Sequence, residues 1–201
     1  MEHSNFNNPF ERYADDIVIH CQSKAEAEKL LAALESQMNE YSLRLHPEKT
    51  KIVYCKNFCR KEEHDQNSFT FLSYTFQPRI AKDKFDPKKL IVLFNGAISN
   101  AAKTSIRRAI RKVLNPRWTN DSLEAFAKVL NPKIRSWINY YGKFFKSRMI
   151  RVFEYLDGLI RRWMTRKYKI TAKQETLLKF QHTKEEAHAL FYHWTFGLKQ
   201  D

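Results

Sequence analysis

The sequence predicts an α+β protein: a short antiparallel sheet packed by one long helix over residues 1–98, then an all-helical domain over 99–201. Three observations carry this reading. Short β-branched and aromatic runs cluster in the first eighty residues, whereas apolar residues at 3–4 spacing dominate the chain from Ser99 onward. The charge divides at the same place. Residues 1–102 hold 14 Lys/Arg against 14 Asp/Glu, residues 103–169 hold 18 against 4, and residues 170–201 hold 4 against 4. The formal charge of +14 therefore belongs to the middle segment, and a neutral module gives way to a basic one near residues 95–102.

The first module opens on a hairpin. Phe10, Glu11 and Arg12 form a short strand, Ile17-Val18-Ile19 its partner, and Tyr13-Ala14-Asp15-Asp16 the tip that carries two acids. A helix follows: Ser23 and Glu26 make a capping box, and Ala27, Leu30, Leu31, Leu34, Met38 and Tyr41 line one buried face. His46-Pro47 stops any continuation, after which Lys51–Cys55 and Phe69–Phe76 read as strands. Cys21, Cys55 and Cys59 are an odd number, which argues against a disulfide framework. With His64 they could offer zinc ligands, but the spacing is looser than a zinc ribbon, and incidental thiols are the simpler reading.

In the second module a helix from Ser99 buries Ile106, Ile110, Val113 and Leu114 and presents Lys103, Arg107 and Arg111 at i+4, with Arg108 and Lys112 beside them. Asn115-Pro116 ends it. Another helix starts near a cap at Asp121 and buries Leu123, Phe126, Ala127 and Leu130; Pro132 then suits the first turn of a further one, with Ile134, Trp137, Ile138, Tyr141 and Phe145 inward. A long helix from about Ser147 points Phe153, Leu156, Ile160 and Trp163 inward and Arg148, Arg151, Arg161, Arg162, Arg166 and Lys167 outward. The aromatic stripes are core. A Lys/Arg face is ordinarily solvated surface, but 18 cations with 4 acids leave most without a partner, which favours a phosphate-rich ligand.

Several runs resemble one family. FERYADDIVIHCQSKAEAEKLL, LRLHPEKTKIVYCK and FTFLSYTFQPR are similar, in order and spacing, to the late palm motifs of bacterial group II intron reverse transcriptases. SLEAFAKVLNPKIRSWINYYGKFF and LIRRWMTRKYK resemble the thumb and maturase-specific domain X of the same proteins, and the likeness runs over residues 10–196. The resemblance implies that Asp15 and Asp16 are catalytic carboxylates that hold Mg²⁺, that Lys49 and Thr50 match a post-catalytic motif, and that Phe71, Leu72 and Tyr74 form a primer-grip-like hairpin. Ser73 stands where the family commonly has Gly. A palm active site also needs an aspartate from an earlier strand and nucleotide-holding fingers. The chain is therefore expected to be the C-terminal part of such an enzyme, with an incomplete palm and no polymerase activity alone.

The resemblance further implies that the helical domain binds group II intron RNA and assists its folding and splicing. The RNA-binding residues expected are Lys103, Arg107, Arg108, Arg111, Arg135, Asn139, Lys143, Arg161, Arg162 and Arg166. Of these, Arg135, Asn139 and Lys143 share one i+4 face opposite Ile134 and Ile138. The alternative is RNA-directed DNA polymerase activity, retained or supplied jointly with an upstream palm and fingers polypeptide. DNA primer or target, a complementing polypeptide or a homodimer are further expected partners. No run reaches the ~18 apolar residues of a membrane span, and MEHSNFNNPF is unlike a signal peptide, so no membrane partner and a cytoplasmic location are expected.

Overall fold

The computed structural model describes residues 8–60, 62–86 and 88–196. Two compact units divide the chain: the stretch up to Phe71 with Gln77–Phe94, and Leu72–Phe76 with Asn95 onward.

In the first unit, β1 (Phe10–Tyr13) and β2 (Asp16–Ile19) pair antiparallel, with Tyr13 opposite Asp16 and Phe10 opposite Ile19. Ala14 and Asp15 make the two-residue connection. Ala14 has a φ of 53°, and the Arg12 Nε donates to its carbonyl at 3.0 Å, which holds a conformation unfavourable to a residue with a Cβ. Helix α1 (Lys24–Glu40) starts as its capping signal predicts: Ser23 Oγ accepts from the Glu26 N–H at 3.2 Å. The Glu26 carboxylate reaches back to the Gln22 N–H at 2.6 Å and accepts from the Asn8 amide at 2.8 Å. The Asn8 bond, first, and then the Gln22 N–H hold this carboxyl below its ordinary range. The same amide donates to the His20 carbonyl, so one side chain links the end of β2 to the start of α1.

The apolar face of α1 is less covered than its periodicity predicts. Leu30 is its one fully buried residue, and Tyr41 lies past the helix end at 72% exposure. Lys51–Cys55, expected as a strand, is irregular and outside the two sheets of the described residues. Its hydrogen bonding is sporadic, as in the Tyr54 N–H to the Gln66 carbonyl, and β-branched content alone does not supply a ladder.

The expected strand Phe69–Phe76 is two strands. β3 (Phe69–Phe71) and β4 (Tyr74–Lys82) flank a turn at Leu72 and Ser73, and β5 (Leu90–Ile98), absent from the sequence reading, completes a sheet of order β3-β4-β5. Leu72 and Ser73 have φ of 48° and 65°. Positive φ at both central residues is the geometry of the tightest hairpin turns and favours Asn or Gly. Neither is present here; instead two bonds clasp the turn. The Ser99 N–H donates to the Ser73 carbonyl at 2.9 Å, and the Tyr140 hydroxyl donates to the Leu72 carbonyl at 3.0 Å.

The helical unit builds a continuous core. α2 (Asn100–Val113) is capped by Ser99, whose Oγ accepts from Ala102 N–H at 3.1 Å, and buries Ala102, Ile106 and Ile110. α3 runs unbroken from Leu123 to Tyr141, capped by Ser122 rather than Asp121. The expected break at Pro132 does not occur. Leu123, Phe126, Ala127, Leu130, Ile134 and Ile138 form one buried stripe, and this burial outweighs the single backbone bond that Pro132 cannot donate. The Asn131 amide reinforces the site, donating to the Leu190 carbonyl at 2.8 Å and accepting from the Tyr192 N–H at 2.9 Å. Gly142 then lets the chain turn, since a Cβ there would collide with the Ile138 carbonyl. α4 (Lys146–Lys167) contributes Met149, Val152, Leu156 and Ile160, all at 0% exposure, and packs on α2, α3 and α5 (Lys173–Glu186). α6 (Tyr192–Thr195) packs on α3, with Phe191 and Trp194 in the core. No helix among the described residues is long and apolar enough to cross a membrane.

Candidate nucleic-acid interface

The buried stripes fix where the cations stand. On α2, with Ala102, Ile106 and Ile110 inward, Arg108, Arg111 and Lys112 are fully on the outside, and Lys103 and Arg107 flank the core half-buried. On α4, Arg151, Arg162 and Arg166 are exposed; on α3, Arg135 and Asn139 are, whereas Lys143, expected on the same helix face, is exposed in the turn that follows the Gly142 cap. Apart from Lys103, no Lys or Arg between residues 103 and 169 is ion-paired to a carboxylate among the described residues. Asp157, the half-buried acid of this segment, is taken by other groups.

Aromatic rings hold several of these cations instead. The Arg107 guanidinium lies 5.3 Å from the Tyr155 centroid, Arg135 4.8 Å from Tyr192, Arg161 5.6 Å from Phe180, and the Lys167 ammonium 5.1 Å from Trp163. A ring orients a cation without neutralising it, so the side chain is ordered and its charge stays available. Three residues depart from the expected outward face, Arg148 being half-buried at the start of α4. Lys167 donates to the Thr119 and Asp121 carbonyls at 2.9 and 2.7 Å, tying the loop before α3 to the end of α4, and Arg161 is half-buried over α5. The Arg107 Nε is buried without a hydrogen-bond partner among the described residues, a donor to which an entering acceptor would be favourable.

Leu72 and Tyr74, two of the residues expected to form a primer-grip-like hairpin, meet the α3 face in this unit. Tyr74 packs against Tyr140, Tyr141 and Phe144 with centroids 5.3–5.5 Å apart, and its hydroxyl donates to the Tyr140 carbonyl. Burial, then its two tyrosine neighbours, pushes the Tyr74 phenol up to about 12, which keeps it a donor at neutral pH. Tyr140 returns the contact through its hydroxyl bond to Leu72. Leu72 and Tyr74 are thus joined to the helix that carries Arg135 and Asn139, whereas Phe71 lies in the first unit.

Asp15 occupies the hairpin tip and Asp16 the first position of β2, both exposed. Their oxygens are the hard donors that Mg²⁺ takes, but two metal ions need more carboxylates than one turn supplies. No cluster of three or more His, Cys, Asp or Glu able to hold a metal occurs among the described residues. The donor set therefore does not fit a two-ion centre. The cysteines are likewise not gathered: Cys21 and Cys55 are half-buried, burial pushing both thiols up, and Cys59 is exposed.

The sequence reading missed one buried polar cluster. Asp157 Oδ1 accepts from the Trp194 indole at 2.9 Å and faces His193 Nε2 at 2.8 Å, while Lys184 stands 3.7 Å from Oδ2. His193 is 5% exposed and stacked on Phe153; burial holds its imidazole below the ordinary range. A neutral ring donating from Nε2 to Asp157 fits this environment and leaves Nδ1, which has no partner among the described residues, as an acceptor. The adjacent His-Trp pair and the lone acid in the apolar stripe of α4 were the available signal.

Comparison with known families gives two matches. Residues 2–76 match the reverse transcriptase (RNA-dependent DNA polymerase) family, and residues 103–180 match the maturase-specific domain of group II introns. A search of curated proteins gave no match. The reverse transcriptase family generally uses Mg²⁺. With a polymerase match preceding a maturase-specific match in one polypeptide, the two together support a group II intron reverse transcriptase/maturase.

Proposed function

We propose that this protein binds group II intron RNA through the outward cations of α2, α3 and α4 and assists its folding and splicing. The single observation that carries the reading is a segment with 18 Lys/Arg and 4 acids in which, Lys103 apart, no cation is ion-paired to a carboxylate among the described residues, while rings orient Arg107, Arg135 and Arg161. A compact ribozyme brings phosphates together at a Coulombic cost. A protein that neutralises them binds the folded RNA more tightly than the open one and so shifts the RNA equilibrium toward the active fold. The splicing chemistry stays with the RNA. Exposed Arg108, Arg111, Arg162 and Arg166 supply the phosphate contacts, with Lys103, Arg107 and Arg161 beside them, while Arg135, Asn139 and Lys143 form a separate polar strip. The boundary near residue 98 separates this RNA-binding domain from the partial palm.

The test is intron splicing at low Mg²⁺ with and without the purified chain. Faster splicing that is lost when Arg108, Arg111, Arg162 and Arg166 are changed together to Gln supports the proposal; no acceleration, with RNA binding absent as well, overturns it.

A second reading concerns the hairpin tip. Phe10 and Tyr13 are 62% exposed on a two-stranded sheet, an apolar surface suited to another palm segment. A complementing polypeptide or second copy carrying a further aspartate would complete a Mg²⁺ site with Asp15 and Asp16 and take a DNA primer or target. Primer extension by the isolated chain, dependent on Asp15 as judged by Asp15→Ala, would place polymerase activity in this polypeptide alone. Extension only with an added palm and fingers polypeptide supports the joint site.

A further inference from the structure

We propose that the outer face of α3 carries a site for an unpaired RNA nucleotide, whose base stacks on Tyr140 and whose phosphates meet Arg135 and Lys143. The inference rests on the RNA-binding reading above and adds to it the form of RNA that this face selects. Pro132, Arg135, Ser136, Asn139 and Tyr140 line an open depression of about 500 Å³, within the roughly 300–1,000 Å³ of small-ligand sites.

Each lining group is prepared for a nucleotide. The Tyr140 ring is fixed from three sides: its hydroxyl is bonded to the Leu72 carbonyl at 3.0 Å, Tyr141 packs edge-on at 4.8 Å, and Tyr74 lies 5.5 Å away. It is still 46% exposed. A ring already immobilised loses little further freedom when a base stacks on it. Arg135 is held over Tyr192, one turn before Asn139, with its charge unpaired. Lys143 is exposed one turn beyond. Between them, the Ser136 hydroxyl and the Asn139 amide make no hydrogen bond to another side chain or backbone among the described residues. An amide offers a donor and an acceptor side by side, the pattern that reads a base edge.

Base pairing hides both features such a site would engage. In an A-form duplex the base faces are stacked on neighbours and the pairing edges are occupied, so only phosphates and the shallow groove are left to contact. A ring beside a strip of hydrogen-bonding groups therefore selects a loop, bulge or single-stranded junction.

The experiment compares two RNAs of equal length, a hairpin with an unpaired loop and a fully paired duplex, bound to the full chain and to its Tyr140→Leu, Tyr140→Phe and Arg135→Gln variants. Tyr140→Leu is expected to weaken loop binding about five- to hundredfold and duplex binding by less than about twofold, the span of base stacking on one aromatic ring. Tyr140→Phe, which keeps the ring and loses only its bond to the Leu72 carbonyl, retains most of the loop binding that Tyr140→Leu loses, and Arg135→Gln weakens binding to both RNAs. In parallel, ultraviolet crosslinking of the unaltered chain to loop RNA containing 5-iodouridine should yield a crosslinked peptide that includes Tyr140; this measurement stands even if a variant folds poorly. Equal losses on loop and duplex, or a crosslink confined to other peptides, overturn the nucleotide site while leaving RNA binding intact. Absence of salt-sensitive binding to either RNA overturns the broader function as well.

Discussion

The two family modules of this chain differ most in how they bury their apolar residues. Helix α1 of the polymerase-like unit has the 3–4 spacing of a core helix yet fully buries only Leu30, and Phe10, Tyr13 and Ile17 of its hairpin are exposed at 62%, 62% and 46%. In the maturase-like unit Ile110, Leu114, Leu130, Ile134, Met149, Leu156 and Ile160 are all at 0%. The difference teaches that amphipathic periodicity specifies a face and not its partner: the helical unit supplies both sides of its interface from within, the palm-like unit only one.

That contrast breaks most readily in the core. Leu156→Ala should cost about 2–5 kcal/mol, the usual range for a fully buried leucine, whereas Leu34→Ala, at a half-buried position of α1, should cost less than half as much. Urea titration of each variant checks this, and equal losses would remove the distinction between the units.

A smaller effect is expected at the β3-β4 turn. Ser73 holds a φ of 65° with its side chain exposed, so Ser73→Gly should relieve left-handed strain and stabilise the chain by about 0.5–1 kcal/mol, readable as a raised urea midpoint. A loss of stability would mean that the clasp by Tyr140 and Ser99 depends on the serine.

The least effect is a pH dependence of the helical unit. Burial keeps His193 neutral in the folded chain, whereas in the unfolded chain it takes up a proton below about pH 6.5. Stability present above that value is therefore lost as the pH falls through it. Thermal unfolding at about pH 7.5 and 5.5 should show a lower Tm at the acid end, and His193→Gln should flatten the difference. Asp157, held low by its bonds from His193 and Trp194 despite burial, contributes only at more acidic pH.

Much of the fold was legible because the signals were local. The Ser23 capping box, the Ser99 start of α2 and the Asn115-Pro116 stop each depend on a few neighbouring residues. What escaped depended on distant partners. Pro132 reads as a helix start until Leu130 and Ile134 are seen on one buried stripe, and Leu72-Ser73 reads as strand until Tyr140 and Ser99 clasp it from far along the chain. The basic faces could be read from charge counting alone. That rings and not acids hold Arg107, Arg135 and Arg161 could not, since Tyr155, Tyr192 and Phe180 lie on other elements.

The central claim is that phosphate neutralisation resides in the helical unit. Its most direct test is the slope of log affinity for folded intron RNA against log salt concentration, compared between two quadruple variants of equal charge change. Changing Arg108, Arg111, Arg162 and Arg166 to Gln should reduce the slope by roughly 3, about 0.7–0.9 for each lost phosphate contact, while changing Lys24, Lys29, Lys82 and Lys84 should leave it within about one unit of the parent. Equal reductions in both variants would contradict the claim and reduce the binding to the net charge of the whole chain.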